Sequence, residues 1–135
     1  MPTITIPKEK IRELSDIFDK YPEIKLVYLF GSQAGRDAGP MSDYDFAVYF
    51  DTRTKRETFD IKIELLNQLN QVFKTDKVDV VALNTSESPE LKFNIINEGK
   101  LIFEREPFKI LIEPKILNEY FDFRIMLLKY GLTRA

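Results

Sequence analysis

A small α/β (α+β) domain, built on a mixed sheet of about four strands flanked by helices, is the architecture this sequence predicts. Short apolar runs alternate with longer stretches of helical periodicity along the chain, and glycine and proline punctuate the joins between them. The length of 135 residues, with 44% hydrophobic and 31% charged side chains, fits one folded domain over residues 1–135 with a core of its own.

The elements follow in order. After Pro7, the segment Lys8 to Lys20 sets Ile11, Leu14, Ile17 and Phe18 at helical spacing, and Tyr21-Pro22 ends it because the residue before proline disfavours helix. Lys25 to Phe30 is a short apolar run that reads as a buried strand. Gly31 to Ser42 is a glycine-bearing connection, and Asp43 to Phe50 a second strand. Lys55 to Phe73 spaces Phe59, Ile63, Leu66, Leu69 and Phe73 as one helical face. Val78 to Leu83 is a third strand. Ser88-Pro89-Glu90 starts a helix, with serine as cap and proline at the first position, and Gly99 ends it. Leu101 to Phe103 is a short fourth strand. A last helix is predicted after Pro114, over 114–130, and its apolar residues exceed one stripe. A terminal helix of that kind points to an interface with a partner protein, with burial in the core as the other option. Strand directions do not follow from these patterns.

The residues that are missing restrict the chemistry. The chain has no Cys and no His, so thiolate nucleophiles, cysteine zinc sites and imidazole bases are all excluded. A bound metal must then be hard and oxygen-ligated, as magnesium, calcium or manganese are. A formal charge of −2 argues against direct nucleic-acid binding through the overall field. No apolar run approaches the roughly 20 residues that span a bilayer, and Met1 to Lys10 lacks the apolar middle of a secretory signal. The expectation is a cytoplasmic protein.

The stretch FGSQAGRDAGPMSDYDFAV, Phe30 to Val48, carries the chemistry. Asp43 and Asp45 are two apart on a predicted strand and so emerge on one face, while Tyr44, Phe46, Val48 and Phe50 take the other. Unit charges about 6 Å apart repel by about 3 kcal/mol at an effective dielectric near 20, and a cation between them reverses the sign. That favours a magnesium site, although an Asp-x-Asp pair alone is weak evidence. Gly31-Ser32 directly follows a buried strand. Glycine lets the backbone approach a ligand closely, and free amides there suit phosphate oxygens; an ordinary tight turn with Ser32 as a helix cap fits the same residues. Asp79 interrupts the run Lys77-Val78-Asp79-Val80-Val81, where a charge is costly to bury alone. It either joins Asp43 and Asp45 around two metal ions or faces solvent on an edge strand.

Gly31-Ser32, ten further residues, and then Asp43-x-Asp45 resembles the signature of the nucleotidyltransferases related to DNA polymerase β. Asp79 matches that family's third carboxylate. The length and order of elements over about residues 8–104 are most similar to the minimal nucleotidyltransferase (MNT) branch. The branch usually carries a basic residue followed by glycine where this chain has Gly35-Arg36, so Arg36 stands one place later than the family's phosphate contact.

The resemblance implies a polymerase β-like fold and two Mg²⁺ ions held by Asp43, Asp45 and Asp79. It also implies ATP as substrate, bound by Gly31, Ser32 and Arg36. Members of the branch often act as antitoxins paired with HEPN-domain ribonuclease toxins. The implied reaction is therefore transfer of AMP to a tyrosine hydroxyl of such a toxin. Transfer to a small aminoglycoside-type hydroxyl is the rival enzymatic reading. A non-catalytic antitoxin acting by occlusion, or a regulatory nucleotide-binding module, are the rivals without turnover.

Overall fold

The computed structural model describes Ile6 and the residues numbered 8–30 and 44–131. They form α1 (Lys8–Asp19), β1 (Ile24–Phe30), β2 (Tyr44–Phe50), α2 (Lys55–Phe73), β3 (Val78–Ala82), α3 (Pro89–Glu98), β4 (Lys100–Glu104) and α4 (Phe108–Lys129). The sheet order is β3-β2-β1-β4. β1 runs antiparallel to both β2 and β4, and β2 is parallel to β3. The parallel pair requires a crossover, and α2 supplies it.

Alternation along the strands divides the interior in two. Val27 and Leu29 of β1, Phe46, Val48 and Phe50 of β2, and Val78, Val80 and Ala82 of β3 face one way. There they meet Leu14, Ile17 and Phe18 of α1 and Leu65, Leu69 and Val72 of α2. On the opposite side Leu26, Tyr28 and Ala47 meet Ile95 of α3 and Ile112 and Ile116 of α4. The domain is thus three layers, with two helices on each face of the sheet.

Local chemistry sets the helix ends. The Thr54 hydroxyl accepts from the Glu57 N–H and caps α2, while Lys74 closes it in the left-handed region at φ 53°. Ser88 caps α3 in the same way, with Pro89 at its first position, as the sequence predicts. At Gly99 an added Cβ would lie 2.4 Å from the Ile95 carbonyl oxygen and 3.1 Å from that of Leu29, so only glycine lets α3 hand over to β4 this close to β1. Arg105 donates to the backbone carbonyls of Asp19, Tyr21 and Ile24 and pairs with the Asp19 carboxylate at 3.2 Å, clasping the end of α1 to the end of β4.

Two sequence expectations need correction. The last helix starts at Phe108, not after Pro114, which lies inside it. Proline removes one helical hydrogen bond, but the stripe Phe108, Ile112, Ile116 packs on the sheet across that point and outweighs the loss. The buried face of α2 is also rotated from the predicted one: Thr58, Leu65, Leu69 and Val72 are buried, whereas Phe59 and Ile63 are exposed. Thr58 is held by a polar group at this face, its hydroxyl 2.6 Å from that of Thr52 and accepting from the Asn84 amide at 3.1 Å. Among the described residues no helix is long and apolar enough to cross a membrane.

α4 is tied to the sheet by the buried Tyr28, whose hydroxyl donates to Glu113 Oε2 at 2.5 Å. Burial, then the Glu113 carboxylate, raise the Tyr28 pKa far above its ordinary value of 10.0. Burial also raises Tyr21 and Tyr49, aided by Glu64 and Asp51 respectively. A raised folded-state pKa contributes stability that is complete below the unfolded value and declines as pH rises past it. Urea unfolding followed from pH 8 to pH 11 should therefore show stability falling above about pH 10. Tyr28→Phe should cost about 1–2 kcal/mol at neutral pH and flatten that alkaline decline. Gly99→Ala should cost about 1–3 kcal/mol in the same measurement, because the added methyl meets backbone that cannot step aside.

Candidate active site

One end of the sheet carries Asp45 and Asp79, the two site residues predicted from the sequence that lie among the described residues. β1 leaves the sheet at Phe30 and β2 enters it at Tyr44, with Phe30 opposite Asp45 in the ladder. β3 enters at the same end, Tyr44 opposite Val78 and Asp45 opposite Asp79. β4 begins there too, with Lys100 opposite Leu29.

Asp45 and Asp79 are therefore direct neighbours on adjacent parallel strands. Strand alternation puts both on the sheet face shared with Ala47. Neighbouring strands lie about 4.8 Å apart, which brings the two carboxylates within reach of one small cation. Asp45 is only 8% exposed, while Asp79 is open to solvent. The Asp79 Oδ1 accepts from the Val80 N–H at 3.0 Å. Asp79 is exposed on an edge strand of the described sheet and stands beside Asp45.

The register that makes this pair is fixed from the opposite face. The Tyr44 ring stacks on Phe73 with centroids 4.0 Å apart, and the Tyr44 N–H donates to the Lys77 carbonyl. Phe46 packs into the α1/α2 core behind Asp45, and Val78 and Val80 do so on either side of Asp79. A chain read only for its carboxylates misses the part played by Gly99. Read from sequence as a helix stop, it also presses against Leu29 and Phe30 at this end of the sheet, where the strand Lys100-Leu101 following it at once is the only hint.

Gly31, Ser32, Arg36 and Asp43 lie outside the described residues. In sequence the first two directly follow Phe30, and Asp43 directly precedes Tyr44. Among the described residues no group of three or more acidic side chains is poised to hold a metal. The donor set that is described, two carboxylates on one face in a chain without His or Cys, fits a hard, oxygen-loving cation and no softer metal. An open groove of about 330 Å³ lined by Glu13, Asp16, Lys20, Gln68 and Gln71 lies between α1 and α2, on the other side of the sheet from these carboxylates.

Comparison with known proteins agrees with this geometry. The family model described as polymerase beta, nucleotidyltransferase matches residues 12–108. The protein adenylyltransferase MntA of Aphanizomenon flos-aquae (strain 2012/KM1/D3) is 32% identical over 115 residues, 77% of this chain and 71% of that protein. Among solved structures, the toxin-antitoxin MntA-HepT shares the fold at a TM-score of 0.68 and 22% identity, covering 92% of this chain and 95% of that one. A tri-AMPylated Shewanella oneidensis HEPN toxin in complex with MNT antitoxin matches at 0.68 and 21%, over 91% and 93% of the two chains. A toxin-antitoxin with AMP-PNP matches at 0.68 and 24%, over 93% and 95%. With a family model spanning most of its length and a relative this similar, the chain belongs to the polymerase beta nucleotidyltransferase family, alongside the MntA proteins.

Proposed function

We propose that this chain is a protein adenylyltransferase antitoxin, which transfers AMP from ATP to a tyrosine hydroxyl of a cognate HEPN ribonuclease toxin and so neutralises it. The observation that carries the proposal is the in-register pair Asp45–Asp79 at the sheet end where β1 runs out into Gly31-Ser32. The named activity of the MntA relative, and the AMPylated toxin and AMP-PNP in the structural neighbours, support the same reading.

In this reading Asp43, Asp45 and Asp79 hold two Mg²⁺ ions. When bound, magnesium neutralises the triphosphate and makes the acceptor hydroxyl easier to deprotonate. The chain's own residues do the rest. Gly31 and Ser32 bind the β- and γ-phosphates, and Arg36 adds positive charge beside them. Asp79, exposed on the edge strand, takes the acceptor's proton. The acceptor oxygen bonds to the α-phosphorus as the bond to the β-phosphate oxygen breaks, and pyrophosphate leaves. Positioning by the rigid β2–β3 pair accounts for much of the rate. The C-terminal segment 114–130, nearly all of it in α4, is a protein interface of this single domain; its exposed apolar side chains support that assignment.

The test incubates the protein with α-labelled ATP, Mg²⁺ and the candidate toxin. Label on the toxin is expected, and Asp45→Asn or Asp79→Asn should lower its rate by about 100-fold or more. Asp79→Asn should keep the unfolding midpoint, because Asp79 is exposed and the amide oxygen can still accept from the Val80 N–H. Toxin inhibited without label would instead mean occlusion, and label appearing only on an aminoglycoside would mean a small-molecule transferase. Full transfer by the Asp45→Asn, Asp79→Asn double variant would overturn the mechanism.

A further inference from the structure

β3 brings a cation as well as a carboxylate to the acidic end of the sheet. Lys77 stands immediately before Val78, and its carbonyl accepts from the Tyr44 N–H, so the parallel ladder with β2 continues back to it. Side chains two apart on an extended chain share a face. Val78 and Val80 face the α1/α2 core, which puts Lys77 on the opposite face with Asp79, one pleat nearer the end of the sheet. At about 3.3 Å per residue their Cα atoms are about 6.6 Å apart. Both residues are exposed.

Other basic residues of the fold are turned to the far face or already engaged. Lys100 is opposite Leu29 in the ladder, and the Leu29 side chain lies in the α1/α2 core. Lys10 donates to the Val72 carbonyl and lies 3.7 Å from Glu13. Lys92 of α3 pairs with Glu119 of α4 at 2.7 Å. Lys77 makes no ion pair among the described residues, not even with Asp79 two places on. Its ammonium, on a flexible four-carbon stem, is available beside the carboxylates.

The order of strands gives that ammonium a place in the reaction. With the β- and γ-phosphates at the end of β1 and the carboxylates on β2 and β3, the triphosphate runs from β1 toward β3. Pyrophosphate leaves toward β1, so in-line displacement brings the acceptor hydroxyl in from the β3 side, the edge of the described sheet. We infer that Lys77 is a catalytic residue, its ammonium meeting the non-bridging oxygens of the α-phosphate from the acceptor side; the inference rests on AMP transfer as proposed above. The α-phosphorus gains a bond to the acceptor oxygen and loses its bond to the β-phosphate oxygen, while the acceptor's proton passes to Asp79. Lys77 keeps its own proton throughout. It supplies fixed positive charge where the transferring group carries its negative charge.

Single-turnover transfer from α-labelled ATP to the candidate toxin tests this on the full chain. Lys77→Gln should lower the maximal rate by about 100-fold. It should move the KM for ATP by less than about fivefold, as expected for a contact strengthened in the transition state, and leave the unfolding midpoint unchanged. Lys77→Arg keeps the charge and should retain about a tenth or more of the wild-type rate. A second measurement needs no turnover. Acetylation by a water-soluble active ester, read by mass spectrometry, should slow at Lys77 by about tenfold when Mg²⁺ and a non-hydrolysable ATP analogue saturate the protein, and stay the same at Lys100. An unchanged rate in Lys77→Gln would mark the lysine as an edge guard only and overturn the inference. So would a loss confined to the KM, or acetylation of Lys77 as fast with the nucleotide as without it. No label on the toxin from the wild-type chain would instead remove the adenylyltransferase reading, and the role of Lys77 with it.

Discussion

Two carboxylates side by side across a parallel strand pair repel each other, less where one of them is open to water. Asp45 and Asp79 are in that position because the other face of the sheet holds them there. Slipping β3 by one residue against β2 would turn Val78 and Val80 out of the α1/α2 core and Asp79 into it. Each buried valine or phenylalanine there is worth about 1.5–3 kcal/mol, and Tyr44 stacked on Phe73 adds to the total. Packing on one face therefore outweighs the repulsion on the other.

Much of this arrangement was legible in the residues themselves, for identifiable reasons. α3 could be bounded to the residue because Ser88, Pro89 and Gly99 each act locally, through a cap, a fixed φ and a close approach. β1 and β2 were legible because central strands buried on both faces must be apolar or strictly alternating. The neighbours of Asp79 were not. Whether β3 lies beside β2, and in parallel, depends on how α2 crosses the sheet, and nothing within Val78–Ala82 encodes that. The start of α4 was hidden for the opposite reason. Pro114 is a strong local stop signal that tertiary packing by Phe108, Ile112 and Ile116 overrides. The buried face of α2 was misread because Thr58, polar by type, is buried through its hydrogen bonds with Thr52 and Asn84, while Phe59 stays outside.

The two layers of helices do different work. α1 and α2 meet the sheet with fully buried side chains and fix strand register, and Arg105 locks α1 to β4 from the chain's far side. α3 and α4 cover the face that carries the carboxylates, but less completely. Ile95 is the buried residue of α3, and Ile112 and Ile116 are those of α4. Their hold depends more on specific contacts: Lys92 with Glu119 at 2.7 Å, Phe93 stacked on Tyr120 at 4.0 Å, and Tyr28 with Glu113. An ion pair or a hydrogen bond contributes about 1 kcal/mol where a buried large side chain contributes about twice that, so this layer is the softer of the two.

α4 and the Asp45–Asp79 pair lie on the same side of the sheet. Tyr28 lies two residues before Phe30, the neighbour of Asp45 in the ladder, and its hydroxyl is bonded to α4. A shift of α4 along its axis must either break that hydrogen bond, leaving a buried hydroxyl unpaired at about 1–3 kcal/mol, or carry β1 with it. β1 is pinned on both sides by β2 and β4 and buried on both faces, so the hydrogen bond is the weaker link. Any protein that covers the exposed apolar side chains of α4 and leaves the helix in place therefore leaves the Asp45–Asp79 pair undisturbed, whereas one that levers α4 away exposes Tyr28 before it reaches the carboxylates. Tyr28 links α4 to β1 two residues from the ladder neighbour of Asp45, and its hydrogen bond yields before the sheet does.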